Sequence, residues 1–220
     1  MTNIFGKKLF RIRALVEFGN VKAGESGGYI EKEENLSQYG SAWVSGDAQV
    51  SGSALVSGNA LVSGSAQVYG NALVSGNALV SGNAFVSGNA LVSGNALVYG
   101  NALVSGSALV YGNARVYGNA RVYGNARVCG DAWVYGSAWV CGDAWVYGNA
   151  GYAMVKGFGR EYRNTTFFRC GDWKIRVACG CFLGDLDEFR EKVKETHGDG
   201  KMAKEYLAIA DLMEMHFKED

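Results

Sequence analysis

The chain contains only two histidines, His197 and His216, and both lie near its C-terminal end. We interpret His197, which precedes a glycine, as the last residue of a helix, and His216 as a surface or packing residue. A general base must come within hydrogen-bond reach of the proton that it removes. The acidic residues of the repetitive middle segment, Asp47, Asp131 and Asp143, occupy positions where other repeats have Asn or Ser, so we interpret them as turn formers. We therefore assign no catalytic residue.

Five cysteines are a second possible source of chemistry. Those nearest the C-terminus follow a C-x8-C-x-C spacing, which differs from the paired C-x2-C of structural zinc sites. We therefore expect neither a metal nor another cofactor. Cys129 and Cys141 occupy corner positions that we expect to face outward, and without an accompanying histidine we expect no catalytic thiol there. The candidate zinc ligands considered are Cys170, Cys179, Cys181 and His197.

Arginine and aromatic residues are concentrated near the end of the repetitive segment. Arginine recurs every six residues from Arg115 to Arg127, and tryptophan takes over the same position from Trp133 to Trp145. One interpretation is a cation–π ladder that needs no ligand. The other is a site in which arginine binds an anion such as phosphate while the aromatic rings stack on a base. The candidate ligand-binding residues are Arg115, Arg121, Arg127, Tyr111, Tyr117, Tyr123, Trp133 and Trp145.

A strict repeat must position these side chains. Valine recurs at every sixth position from Val44 to Val146, and alanine stands two residues before each valine. Because side chains alternate across a strand, Ala and Val point to one side and the residue between them points to the other. Glycine followed by Asn, Ser or Asp then turns the chain. Three such strands in 18 residues make one coil, so the repeat predicts a three-sided parallel β-helix.

We predict an all-β fold with three regions. Residues 1–40 form a cap, in which Leu9–Phe18 is a strand and Gly24–Gly28 a loop, because the first coil of a solenoid needs a cover over its open strand edges. Residues 41–150 form the β-helix, with about six coils of 18 residues. Residues 151–220 form a small ββαα module, since the six-residue period has ended there.

The elements of the C-terminal module follow from local patterns. Thr165–Cys170 and Trp173–Cys179 read as a hairpin around a Gly-Asp turn. Asp185 can cap a helix that runs to about Thr196. Apolar residues at helical spacing predict a second helix over Lys201–Phe217. The glycine-rich stretch from residue 148 to residue 159 is interpreted as a linker.

Units such as SGNALV and YGNARV resemble the bacterial hexapeptide-transferase repeat. That family implies a left-handed parallel β-helix, usually trimeric, in which a histidine of the coils acts as general base; no histidine occurs in the repeats here. The leader from Arg11 to Ala48 and the tail from Cys179 to Phe217 resemble uncharacterised bacterial and phage-borne hexapeptide-repeat proteins that are labelled acyltransferases. The resemblance implies the handedness, which general crossover rules do not.

The residue between Ala and Val points outward, and every third repeat lies on the same face. The first face carries Trp43, Leu61, Leu79, Leu97, Arg115 and Trp133; the second carries Gln49, Gln67, Phe85, Leu103, Arg121 and Trp139; the third carries Leu55, Leu73, Leu91, Leu109, Arg127 and Trp145. Long exposed apolar stripes mark interfaces, and a first face that meets the third face of the next copy closes a ring as a homotrimer. The predicted interface residues are Leu55, Leu61, Leu73, Leu79, Leu91, Leu97 and Leu109.

Composition restricts the partners and the compartment. Basic and acidic side chains total 21 each, so we expect no long nucleic acid as partner. No apolar run approaches the length of a membrane span, and charged residues interrupt the N-terminal segment, so we expect no membrane partner and a cytoplasmic location.

Three functions remain open. The first is a non-catalytic homotrimer, of phage origin by resemblance, that sequesters a small anionic, nucleotide-like ligand between subunits. The second is a structural or adaptor scaffold that presents the C-terminal module to a protein partner. The third is a hexapeptide-repeat acyltransferase, which the absence of histidine from the coils disfavours.

Overall fold

The computed structural model describes residues 1–3 and 6–218. Its main part is a parallel β-solenoid of about seven turns, in which each strand pairs in register with the strand 18 residues later. The Leu91 N–H, for example, donates to the Ala108 carbonyl at 2.9 Å. The expected three-sided parallel β-helix with 18-residue coils is thus confirmed, and its handedness stays a prediction.

Short strands form one sheet on each face. The first-face sheet contains β4 (Trp43–Val44), β7 (Leu61–Val62), β10 (Leu79–Val80), β13 (Leu97–Val98), β16 (Arg115–Val116) and β19 (Trp133–Val134). The second contains β1 (Phe10–Arg13), β2 (Ser26–Ile30), β5 (Gln49–Val50), β8 (Gln67–Val68), β11 (Phe85–Val86), β14 (Leu103–Val104), β17 (Arg121–Val122) and β20 (Trp139–Val140). The third contains β3 (Leu36–Gly40), β6 (Leu55–Gly58), β9 (Leu73–Val74), β12 (Leu91–Val92), β15 (Leu109–Val110), β18 (Arg127–Cys129) and β21 (Trp145–Tyr147).

Alanine and valine fill the interior, as their shared parity predicts. From Val44 to Val146, every Ala and Val of the repeat is at most 1% exposed. The corner glycines let adjacent coils approach closely: Gly88 has φ +69°, and a Cβ placed on it would lie 2.8 Å from the Gly106 carbonyl oxygen. Glycine is therefore required both by the left-handed backbone and by the distance between coils.

The predicted cap contributes a turn of its own. Strand β2 pairs in parallel with β5, and β3 pairs in parallel with β6, with a 3-10 turn at Glu33–Asn35 between them. The predicted Gly24–Gly28 loop is therefore wrong from Ser26 onward, because these residues continue the second-face sheet below the first repeat. Strand β1 confirms the predicted Leu9–Phe18 strand only over Phe10–Arg13, where the chain pairs antiparallel with β2; beyond Arg13 the prediction is wrong, because the chain leaves this pairing.

The C-terminal region has four strands where the sequence predicts two. An antiparallel sheet of β22 (Tyr152–Val155), β23 (Thr165–Arg169), β24 (Ile175–Cys179) and β25 (Phe182–Asp185) packs against α1 (Leu186–His197) and α2 (Lys201–Phe217). The linker interpretation is wrong for β22, because pairing with β23 makes a strand of a glycine-flanked segment. A 3-10 turn at Asn149–Gly151 precedes this strand.

Both predicted helices are confirmed. Asp185 caps α1, accepting from the Glu188 N–H at 3.0 Å while the Glu188 carboxylate accepts from the Asp185 N–H. Gly198 follows the last residue of α1, and α2 has the predicted bounds. Among the helices in the described part of the chain, none combines the length and apolar character that a membrane crossing requires.

The module covers the last coil of the solenoid. Phe168, Cys170 and Ala178 from its sheet join the solenoid core. The Trp139 N–H donates to Thr166 Oγ1 at 3.1 Å, and Asn164 Nδ2 donates to the Ser137 carbonyl at 3.3 Å. A second core around Phe167 lies between the sheet and the two helices. The junction therefore packs the tryptophan-bearing last coil of the solenoid against residues of the C-terminal module.

Candidate functional site

Arginine and tryptophan stack between the fifth and sixth sets of repeats. The Arg115 guanidinium carbon lies 4.8 Å from the centroid of the Trp133 ring, and that of Arg121 lies 5.2 Å from the Trp139 ring. Arg127 and Trp145 are paired neighbours on β18 and β21. These arginines remain exposed to solvent. The stacking holds the guanidinium groups of Arg115 and Arg121 in place without neutralising their charge.

The tyrosines of the corners form a column beside the first face. Tyr117 stacks on Tyr99 with ring centroids 4.9 Å apart and on Tyr135 at 5.4 Å. Tyr152 of β22 meets Tyr135 edge-on at 6.5 Å, so the column reaches the module. Burial raises the pKa of Tyr117, which keeps the phenol neutral and adds no negative charge near Arg115.

Two of the tyrosines predicted to bind a ligand instead form hydrogen bonds with buried cysteines. Cys129 and Cys141 are only 1% exposed, so the expectation that they face outward is wrong. A hydrogen bond with Cys129 raises the pKa of Tyr111, and burial raises the pKa of Tyr123 to about 12, with a hydrogen bond to Cys141 adding to it. Burial also raises the pKa of the Cys141 thiol, so a reactive thiolate is disfavoured there.

The eight candidate ligand-binding residues do not meet in one cavity of a single chain. Arg115, Arg121 and Arg127 belong to three different sheets. The structure brings together Arg115 with Trp133, and it leaves Tyr111 and Tyr123 at two other corners beside their cysteines. A common site for residues of the first and third faces would therefore need a second copy of the chain.

Two of the acidic turn residues, Asp131 and Asp143, accept hydrogen bonds from asparagine side chains of the preceding coil. Asn59, Asn77, Asn95 and Asn113 donate in sequence from one coil to the next, and the last amide in this column donates to Asp131 Oδ1 at 2.9 Å. Asn125 donates in the same way to Asp143 at 3.0 Å. A carboxylate can accept such a bond without offering a donor to a further coil.

Metal ligands do not converge in the described structure. Within residues 1–3 and 6–218, no three His, Cys, Asp or Glu side chains are grouped closely enough to hold an ion. Cys179 instead forms a hydrogen bond with Thr165 Oγ1 at 3.2 Å. Burial raises the pKa of the Cys170 thiol to about 11.

A cavity of about 600 Å³ lies where the last coil meets the module. It was missed in the sequence, because Trp145 is the only candidate ligand-binding residue on its wall. Tyr147 comes from the same strand, Trp173 from the hairpin turn between β23 and β24, and His216 from α2. The sequence feature that could have indicated this cavity is Trp173, because a tryptophan occupies a turn position where glycine or asparagine is usual.

The leucine stripes are partly open to solvent in the single chain. Leu61 is 44% exposed, and the other leucines of the predicted interface are half-buried by their neighbours on the same face. Trp43, at the start of the first-face stripe, is only 6% exposed because the cap covers it, with Phe18 packed edge-on at 5.5 Å. The open part of the first-face stripe therefore begins at Leu61.

Comparison with known families matches the repeats alone. Eight segments match the family model described as YdcK Beta solenoid repeat. No curated protein matches the chain. The matched segments are residues 54–68, 66–82, 84–99, 96–112, 108–124, 114–128, 120–136 and 126–142.

Proposed function

We propose that this β-helix protein, built of repeats that match the YdcK β-solenoid model, is a non-catalytic homotrimer that binds a small anionic, nucleotide-like ligand between its subunits. The observation that carries the proposal is the position of Arg115 and Arg127, which are exposed at the ends of the two leucine-bearing faces. Among the ion pairs found within the described residues, none involves either arginine.

The trimer follows from the difference between the faces. The first and third faces each present a row of leucines that water partly reaches, whereas the second begins with Gln49 and Gln67. An apolar row of this length on a rod is stabilised by covering it. A first face packed on the third face of the next copy is a head-to-tail contact, and three such contacts close a ring.

The ligand follows from the charge that such packing creates. Arg115 of one copy and Arg127 of the next would approach each other at a partly dry boundary, where unpaired like charges are costly. The acidic side chains of residues 41–150 are Asp47, Asp131 and Asp143. Asp131 and Asp143 accept hydrogen bonds from the Asn113 and Asn125 amides instead of forming a described ion pair with Arg115 or Arg127. An anion such as a phosphate, which arginine binds with two parallel hydrogen bonds, would relieve the repulsion. Trp133 and Trp145 lie one coil further and would stack on a planar base.

The assignment as non-catalytic rests on the histidines. His197 ends α1 and His216 lies in the last turn of α2, so neither belongs to a coil of the solenoid. The coils then offer no group suited to take a proton from a bound acceptor near neutral pH. Five free thiols suit a reducing compartment, and we place the protein in the cytoplasm. The phage origin rests on the family resemblance of the two flanks.

The first test addresses assembly and ligand binding together. Light scattering should give the mass of a trimer for the wild type and of a monomer for Leu97→Glu, whereas Phe85→Glu on the second face should remain trimeric. Calorimetry with a panel of nucleotides should detect a ligand whose affinity falls at least tenfold in Arg115→Ala and Arg127→Ala. Arg121→Ala is the matched control, since its face lies outside the proposed contact.

Other outcomes would contradict the proposal. A monomeric wild type removes the inter-subunit site. A thermal shift with acyl-CoA and with no nucleotide favours the acyltransferase. A trimer that binds no small molecule favours the scaffold that presents the C-terminal module.

A further inference from the structure

A second concentration of aromatic and basic side chains lies within a single chain, in the cavity between the last coil and the module. Its volume of about 600 Å³ falls in the range of small-molecule sites, about 300–1,000 Å³. Its rings are well exposed: Trp145 to 41%, Tyr147 to 71% and Trp173 to 70%. Three large aromatic side chains left open around one concavity form a surface on which a planar group can stack.

The cavity also has a basic side. Arg169, His216 and Lys218 line it, and none of its described lining residues is acidic. Arg169 is held in position, because its guanidinium donates to the Phe217 carbonyl and lies 5.7 Å from the Trp173 ring centroid. The wall therefore combines a fixed guanidinium with stacked aromatic surface, the pairing that recognises a phosphate attached to a base.

The backbone at the cavity mouth is strained. The Trp173 N–H donates to the Cys170 carbonyl at 2.9 Å and closes a tight hairpin turn between β23 and β24. Trp173 follows in the left-handed region with φ +64°, at the position of such a loop where glycine is favoured. A bulky aromatic residue in this conformation is unfavourable, and strain of this kind is retained where the side chain serves a site.

We infer that this cavity is a second binding site, separate from the inter-subunit site, and that it takes a mononucleotide. The base stacks against Trp173 and Tyr147, and the phosphate binds Arg169 and Lys218. The site is complete within one protomer, so it does not require the trimer. It also gives the module a role in binding beyond covering the end of the rod.

The test uses the full-length protein and adenosine monophosphate, with adenosine and inorganic phosphate as separate probes. Calorimetry should show that the nucleotide binds at least tenfold more tightly than either fragment, since stacking and phosphate contacts both contribute. Tryptophan fluorescence should be quenched on binding. Equal affinity for phosphate alone, or no binding by the nucleotide, would overturn the inference.

Two substitutions distinguish an effect on nucleotide binding from an effect on the stability of the fold. Trp173→Asn should weaken nucleotide binding at least tenfold while raising Tm by about 2–4 °C, because asparagine tolerates the left-handed region. Tyr162→Asn is the matched control: Tyr162 also has positive φ, at +49°, and does not line this cavity. It should raise Tm similarly and leave binding unchanged. Unchanged binding in Trp173→Asn would overturn the inference.

A third substitution tests the proposed contact between the phosphate and Lys218. Lys218→Ala should weaken nucleotide binding several-fold and leave adenosine binding unaltered, whereas the exposed Lys194→Ala of α1 should change neither. The two proposals fail separately, because loss of binding in Arg115→Ala concerns the site between subunits and loss in Trp173→Asn concerns the cavity. Identical nucleotide affinity in Lys218→Ala and wild type would contradict the phosphate position.

Discussion

The solenoid and the C-terminal module bury their apolar residues by different means. In the solenoid the environment of a side chain depends on its position within the six-residue repeat. Each Ala and Val of the repeat from Val44 to Val146 is therefore at most 1% exposed. In the module each buried position is unique, and a single cluster around Phe167, Phe189 and Tyr206 holds the sheet to the helices. Stability in the solenoid is a sum over neighbouring coils, whereas the module depends on one core.

Loss of one large side chain from the module core is expected to have the largest effect. Phe167 is fully buried and meets Phe189 edge-on at 6.0 Å. Phe167→Ala should cost about 3–5 kcal/mol and unfold the module at a temperature where the solenoid persists. Circular dichroism and limited proteolysis would record this. The control Phe85→Ala removes a half-buried outward ring and should cost less than about 1 kcal/mol; equal losses would contradict the comparison.

A methyl group at a solenoid corner is expected to rank second. Gly88→Ala should cost about 1–2 kcal/mol for the left-handed backbone and a further ~1–3 kcal/mol for pushing the next coil away. Gly142 has a similar φ of +63°, and a Cβ added there would meet nothing within 4 Å. Gly142→Ala should therefore show only the first contribution. Urea denaturation of both variants measures the difference, and identical losses would mean that coil contact contributes nothing.

Acid is expected to affect the module slightly and the middle of the rod not at all. The Glu188 backbone N–H, followed by Lys174 and Arg176, lowers the pKa of Asp185 from its usual 3.8. Because the folded pKa is the lower one, this stabilisation is present above about pH 4 and is lost as pH falls through the folded value.

Removal of the Asp185 cap tests that pH dependence. Asp185→Ala should cost about 0.5–2 kcal/mol at pH 7 and much less at pH 2, as measured by urea denaturation followed at the helical circular dichroism band. The middle of the rod is the internal comparison: residues 48–130 contain no acidic side chain, so its stability should not change between the two pH values. An equal cost at both pH values would show that the charge of Asp185 does not contribute.

The sequence predicts the solenoid more completely than the C-terminal module, and the reason is physical. Alternation in Ala-X-Val and the Gly-Asn turn are local, so the 18-residue coil and its interior followed directly from them. The capping box at Asp185 and the apolar spacing of α2 are local as well, and both helices were predicted. Strand β22 was missed because its strand character depends on pairing with β23, whose residues come later in the chain, beyond an irregular segment.

The sequence by itself determined the shape of the rod and the order of residues along each face, because a strict period leaves one packing for its small apolar side chains. Only the tertiary structure decided which outward residues meet water. It buried Cys129 and Cys141, covered Trp43 with the cap, and joined Trp145 to Trp173 and His216 around one cavity. The covering of Trp43 and the formation of the cavity depend on non-repeating segments that fold back onto the ends of the rod, where no neighbouring coil continues the period.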